Sequence, residues 1–334
     1  MNTRLLSSKL AAFILLTTVA TMTNAAETFL LIATIPLPNV KGRIDHLSAD
    51  IAGRKLYVAA LGNNTVEIVD TASHKHEKSV PGFGEPQGLV YVPGGKRLFV
   101  GNGSAGRVDI VDTRSLTTTR QIGKLDDADN VRYDAAGGKI IVGYGKGALR
   151  TLDAETGESA GDVSLEGHPE SFQLEQSGTR VFVNVPSAGH VAVVDRSKRQ
   201  VAAVWKVSAR ANFPMALDEK GRRLFVGART PAVVLVHDID SGKEVAKLKI
   251  GEDTDDLFFD RDRRRLYVIC GAGQVDVFRQ EAADRYVQED VVKTAPRART
   301  GLFVSEEKRL YVAAPAVGGE PARILVYEVK EPAK

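Results

Sequence analysis

Arg97-Leu98-Phe99-Val100 has six further copies in the chain: Lys55-Leu56-Tyr57-Val58, Lys139-Ile140-Ile141-Val142, Arg180-Val181-Phe182-Val183, Arg223-Leu224-Phe225-Val226, Arg265-Leu266-Tyr267-Val268 and Arg309-Leu310-Tyr311-Val312. Their valines are separated by steps of 42, 42, 41, 43, 42 and 44 residues, a period that marks a repeat architecture. Before each copy lies another apolar run, such as Gly88-Leu89-Val90-Tyr91-Val92, joined to it by a Gly-rich or charged turn. About eight residues after it comes a third run, clearest in Val66-Glu67-Ile68-Val69-Asp70 and Val191-Ala192-Val193-Val194-Asp195, whose alternation predicts one side chain in two facing a neighbouring sheet. A more polar fourth run follows, for example Gln200-Val201-Ala202-Ala203-Val204-Trp205. Four short strands per period and no helical periodicity predict an all-β, seven-bladed β-propeller with four-stranded blades.

The two ends of the repeat array predict how the ring closes. The last copy stops after its third strand, Arg323-Ile324-Leu325-Val326-Tyr327, whereas an unassigned run, Phe29-Leu30-Leu31-Ile32-Ala33-Thr34-Ile35, precedes the first copy. The N-terminal strand is therefore expected to complete the last blade, pairing two edges that would otherwise lie open. One propeller domain over residues 26–334 is the expected organisation. Upstream of it, residues 1–25 carry Arg4 and Lys9, an apolar run from Leu10 to Val19 and the ending Thr23-Asn24-Ala25, the pattern of a signal peptide cleaved near Ala25. That run is too short to span a bilayer, so a periplasmic or secreted protein without a membrane span is expected.

Composition narrows the chemistry further. The 334 residues, 43% hydrophobic and 26% charged, belong to an ordinary globular chain, and the 31 glycines suit a fold of many tight turns. A single cysteine, Cys270, excludes an internal disulfide, a four-cysteine zinc site and a C-x-x-C-H haem attachment. Loss of Arg4 and Lys9 with the leader lowers the formal charge from +3 to +1, so no global charge draws the protein to polyanions.

Tyr57-Val58-Ala59-Ala60, Phe99-Val100-Gly101-Asn102 and Tyr267-Val268-Ile269-Cys270, with the upstream Pro86-Gln87-Gly88-Leu89 and the downstream Asn64-Thr65-Val66-Glu67-Ile68-Val69-Asp70, carry a resemblance. Across essentially all of residues 26–334 the chain resembles the YVTN-repeat β-propeller family, exported bacterial seven-bladed rings distantly similar to WD40 propellers. No copy has the literal Thr-Asn ending, and only Asn102 keeps the asparagine. The resemblance implies the fold and, since related rings include binding proteins, nucleic-acid binders, lactonases and electron-transfer subunits, no single activity.

In such a ring the loops leading into the innermost strands share one face with those joining the second and third strands, around the mouth of the central channel. Counting back thirteen residues from each repeat valine gives Asp45, Gln87, Asp129, Glu170, Phe213, Asp255 and Arg299; counting back twelve gives His46, Gly88, Asn130, Ser171, Pro214, Asp256 and Thr300. Asp45, His46, Gln87, Asp129, Asn130, Glu170, Asp255, Asp256 and Arg299 are the candidate ligand-binding residues, with Asp126, Asp127, His168, Asp253, Arg43, Arg210 and Arg297 nearby. Converging carboxylates, imidazole and amide could hold a divalent metal, as lactonase-type propellers do, although no metal ligand or catalytic residue is singled out.

The remaining motifs read as structure. His74 and His76 are expected on the opposite face and exposed, and Gly143-Tyr144-Gly145-Lys146-Gly147 is a turn lacking the P-loop spacing. Asp238-Ile239-Asp240-Ser241-Gly242 lacks the later ligands of a calcium loop. Arg261, Arg263, Arg264 and Arg265 have no stacking aromatics among them, so nucleic acid is not the expected partner. The leading expectation is a binding protein that presents a polar mouth to a small polar ligand, a metal or a protein partner, without need of an oligomer. A metal-assisted lactonase- or lyase-like enzyme using His46 or His168 is the alternative, and single-stranded nucleic-acid binding comes third.

Overall fold

The computed structural model describes residues 28–331, and among them seven antiparallel four-stranded sheets form the ring. Blade 1 comprises Leu47–Asp50, Lys55–Ala60, Thr65–Asp70 and Lys75–Pro81, ordered from the channel outward, and blades 2 to 6 repeat that order. Blade 7 takes Thr300–Val304, Arg309–Ala314 and Arg323–Val329 from the end of the chain and its outer strand, Phe29–Pro36, from the beginning. Phe29 lies opposite Val329 and Pro36 opposite Arg323, so the expected closure is observed. The expected signal segment lies outside the described residues, and no helix among them is long and apolar enough to cross a membrane.

Burial explains why the second strand is so legible. Each blade is sandwiched between two neighbours, so both faces of that strand are covered and Leu56, Val58, Ala59 and Ala60 are all fully buried. Such a strand needs a continuous apolar run rather than alternation. The third strand differs from its expected alternation for the same reason: Thr65–Asp70 is buried at its first five positions, Glu67 included. Outer strands are open to water, and Thr117–Gly123 is exposed at six of seven positions. In all seven blades the outer strand slips by one residue against the third, as between Ile68 and Val69 and between Ile110 and Val111.

The basic residue that opens each repeat has a structural task. Arg97 donates from Nη1 to the Ala154 carbonyl of the next blade at 3.0 Å, Arg180 reaches the Ile239 carbonyl in the same way, and Arg265 reaches that of Lys330. Lys55 and Lys139 pair within their own blades with Asp70 and Asp153. The turns between third and fourth strands are closed by these aspartates. Asp238 Oδ1 accepts from the backbone N–H groups of Asp240 and Ser241 and from the Ser241 hydroxyl, which leaves the loop an Asx turn.

Candidate functional site

The thirteen- and twelve-residue offsets correspond to one repeated piece of backbone. Asp45 donates its N–H to the Ala59 carbonyl at 2.8 Å, Asp129 to Gly143 at 3.0 Å and Glu170 to Asn184 at 3.0 Å. The following residues accept in return: His46 from Ala59, Asn130 from Gly143 and Ser171 from Asn184. Each residue is thereby held over the channel just before its innermost strand turns down. Gly88 belongs to the same series and permits a close approach, because a Cβ there would stand 2.2 Å from the Asp129 carbonyl oxygen.

These loops enclose a cavity of about 210 Å³ at the mouth, lined by Gln87, Asp129, Glu170, Phe213, Asp255 and Arg299 from the first ring, with Arg43, Asp127, His168 and Arg229. On one side Asp129, His168 and Glu170 bring a carboxylate oxygen, a ring nitrogen and a second carboxylate oxygen within 4.8 Å of one another. His168 Nδ1 is 2.6 Å from the Gly145 carbonyl, leaving Nε2 facing Asp129 at 3.7 Å. On the other side three arginines gather around Asp255: Arg229 at 2.7 Å, Arg299 at 2.9 Å and Arg43 at 3.9 Å. Arg299 also holds Asp253 at 3.0 Å, and the Arg229 guanidinium lies 4.1 Å from the Phe213 ring centre.

Asp45, His46, Asn130 and Asp256 form a layer beneath the cavity instead of lining it. His46 stands between Asp256 at 3.4 Å and Asp45 at 3.6 Å, with the Asn130 amide nitrogen 3.5 Å from Nε2. Asp256 accepts the Gly301 N–H at 2.9 Å, and Arg43 covers Asp45 at 2.8 Å. Asp45 is completely buried, and neither of its carboxylate oxygens makes a geometrically sound hydrogen bond despite Arg43.

The charges are strongly coupled. Burial opposes ionisation of His46, but Asp256 and Asp45 outweigh it and push the imidazole up to about 10, so the ring is cationic at neutral pH. Burial raises Asp45 to about 6 against the pull of His46 and Arg43. Glu170 is raised to about 8 by burial and then by Asp129. For His168 burial is again outweighed, here by Asp129 and the Gly145 carbonyl, and its pKa rises to about 9. Asp255 is raised by burial, with Arg229, Arg299 and Arg43 acting in the opposite direction.

Of the other groups named from sequence, Asp126, Asp127, Arg210 and Arg297 are exposed. His76 departs from expectation: its Nε2 lies 2.7 Å from the fully buried Glu67 carboxylate, which also takes the Ser79 hydroxyl, so it is a half-buried structural partner. Three of the four arginines in the basic cluster of blade 6 are held in ion pairs, Arg261 on Asp218, Arg263 on Asp260 and Glu331, and Arg265 on Glu289, while Arg264 is exposed. Arg229 is the site residue that sequence reasoning missed. Three residues after each repeat valine stand Leu61, Gly103, Gly145, Pro186, Arg229, Gly271 and Pro315, so Arg229 alone brings a charge to that position. Arg132, half-buried near Asp256 and Asp129 with its guanidinium 5.6 Å from the Phe172 ring centre, was missed likewise.

No protein-family model matches the chain, and no curated protein matches it in sequence. Solved structures do match in shape. A chain of the mitotic checkpoint complex superposes with a TM-score of 0.78 at 15% identity, over 99% of this chain and all of that one. A chain of Kuenenia stuttgartiensis hydrazine synthase gives 0.73 at 16% identity, over 86% of this chain and 97% of that one. At such identities the likeness establishes a seven-bladed, WD40-like propeller and nothing of its chemistry.

Proposed function

We propose that the chain is an exported binding protein of the YVTN-repeat kind, and that its channel mouth takes a small polar ligand. The observation that carries this reading is the mouth cavity itself, where loops from separate blades oppose a carboxylate–imidazole side to an arginine side over about 210 Å³. Charges brought together at such cost, on a scaffold that does not need them for its core, suit recognition of a charged partner. Export is supported by the tripartite pattern of residues 1–25. A protein partner capping the mouth is a second occupant that a ring of this shape accommodates. Metal-assisted hydrolysis at the same mouth is favoured over the remaining alternatives by the grouping of Asp129, His168 and Glu170.

A thermal-shift screen of small organic anions, cations and sugars on the mature protein, run beside Arg229→Gln and Phe213→Ala, tests the mouth. At least one compound should raise the wild-type melting temperature and lose that effect in both variants. A screen in which every stabilising compound works equally on the variants would refute it.

A further inference from the structure

Asp129, His168 and Glu170 come from the loops before the innermost strands of blades 3 and 4, and their ligand atoms lie within 4.8 Å of one another. Three features set them apart from a wet acidic rim. First, the His168 ring is fixed by its Nδ1 on the Gly145 carbonyl at 2.6 Å, the arrangement that orients a ligating imidazole and leaves Nε2 for a metal. Second, Asn130 is 2% exposed, yet its Oδ1 has no hydrogen-bond partner while its Nδ2 lies 3.4 Å from Asp129 Oδ1. A buried acceptor left without a donor is costly, and a metal-bound water would supply one. Third, among the described residues no arginine or lysine pairs with Glu170, whereas Asp255 across the cavity has three arginines.

We infer that Asp129, His168 and Glu170 bind one divalent first-row transition ion, and that its open positions take an anionic ligand reaching it from the arginine side. One imidazole and two carboxylates form a mixed N/O set that suits Zn²⁺ or Mn²⁺ better than Ca²⁺, which takes more oxygens. Three protein ligands leave the ion unsaturated. With His168 neutral and Glu170 ionised, as ligation requires, the cavity lining sets three arginines against four carboxylates, and the bound ion makes the net charge positive. Small carboxylates fit both the volume and the sign, with Arg229 and Arg299 placed for the end that does not bind the metal. This inference rests on the mouth being the binding site and adds what binds there.

Isothermal titration of chelator-stripped mature protein with ZnSO4 and with MnCl2 tests the first half. One ion per chain is expected, at least about 100-fold weaker in His168→Ala and in Glu170→Gln and unchanged in His76→Gln. Circular dichroism spectra and melting curves of the variants verify that they fold. The second half uses malonate as probe: it should bind metal-loaded protein, fail on stripped protein and weaken in Arg229→Gln. Absence of saturable metal binding, or binding that persists in both ligand variants, overturns the inference. If malonate then binds stripped protein and depends on Arg229, the mouth reading survives alone; if neither probe binds, both fall. Metal binding without malonate binding would refute the anionic ligand.

Discussion

Glu170 is the mouth carboxylate of blade 4, and neutralising it should stabilise the protein increasingly as pH rises. Burial and Asp129 hold the Glu170 pKa near 8, against an ordinary value of 4.5. A carboxyl whose folded pKa is raised contributes its full stability below the unfolded value and loses it as pH rises toward the folded one. Glu170→Gln removes that loss. The melting temperatures of variant and wild type should thus coincide near pH 4.5, separate as pH rises to 8 and keep a constant gap above it. At about 1.4 kcal/mol per pH unit, the gap at pH 7 is on the order of 3 kcal/mol before allowing for water in the mouth, which screens part of it. For a chain of this size that is roughly 5 °C. Calorimetry in EDTA at pH 5, 7 and 9 decides it. A Glu170→Gln protein that tracks wild type at all three values would refute the reasoning.

Deleting residues 28–36 strips blade 7 of its outer strand and should lower the melting temperature by well over 10 °C or bring aggregation, whereas Glu331→Gln, which leaves Arg263 on Asp260, should cost about 1 kcal/mol; equal melting curves would contradict the closure. Intact-mass measurement of exported protein should find Ala26 at its N-terminus, and retention of Met1 in a membrane fraction would count against the signal peptide. Cys270 is fully buried, and burial with Asp276 nearby drives its thiol pKa upward, so a thiol reagent should label it only in denaturant. Rapid labelling of the native protein would contradict that burial.

The sequence showed most of the fold because second strands are covered on both faces and must stay apolar, which made Leu56 to Ala60 and its equivalents regular enough to count. The same counting gathered Gln87, Asp129, Glu170, Asp255 and Arg299 at one cavity, since backbone bonds such as Asp129 N–H to Gly143 fix the offset. Depth was not legible. That Asp45 sinks below Arg43 while Glu170, at the identical offset, lines the cavity depends on loop shape. Arg229 escaped for a related reason, as it reaches the mouth from the far end of a second strand rather than from the positions counted. The third strands were expected to turn one side chain in two toward a neighbouring sheet, whereas blades cover both of their faces and bury even Glu67 and Asp109.

The pairing of Phe29 with Val329 and of Pro36 with Arg323 gives the ring a direction in time. During synthesis the first of these strands is made before any blade and must wait for the last, so six blades can assemble while the seventh has no means of finishing. Closure then joins segments at opposite ends of the described chain, the slowest kind of contact to form, after which the ring locks as a unit. A circularly permuted chain that begins at blade 1 and carries residues 28–36 after Val329 would make that contact local. It should reach the same structure sooner, and the difference in refolding rate would measure what closing the circle late costs the natural order.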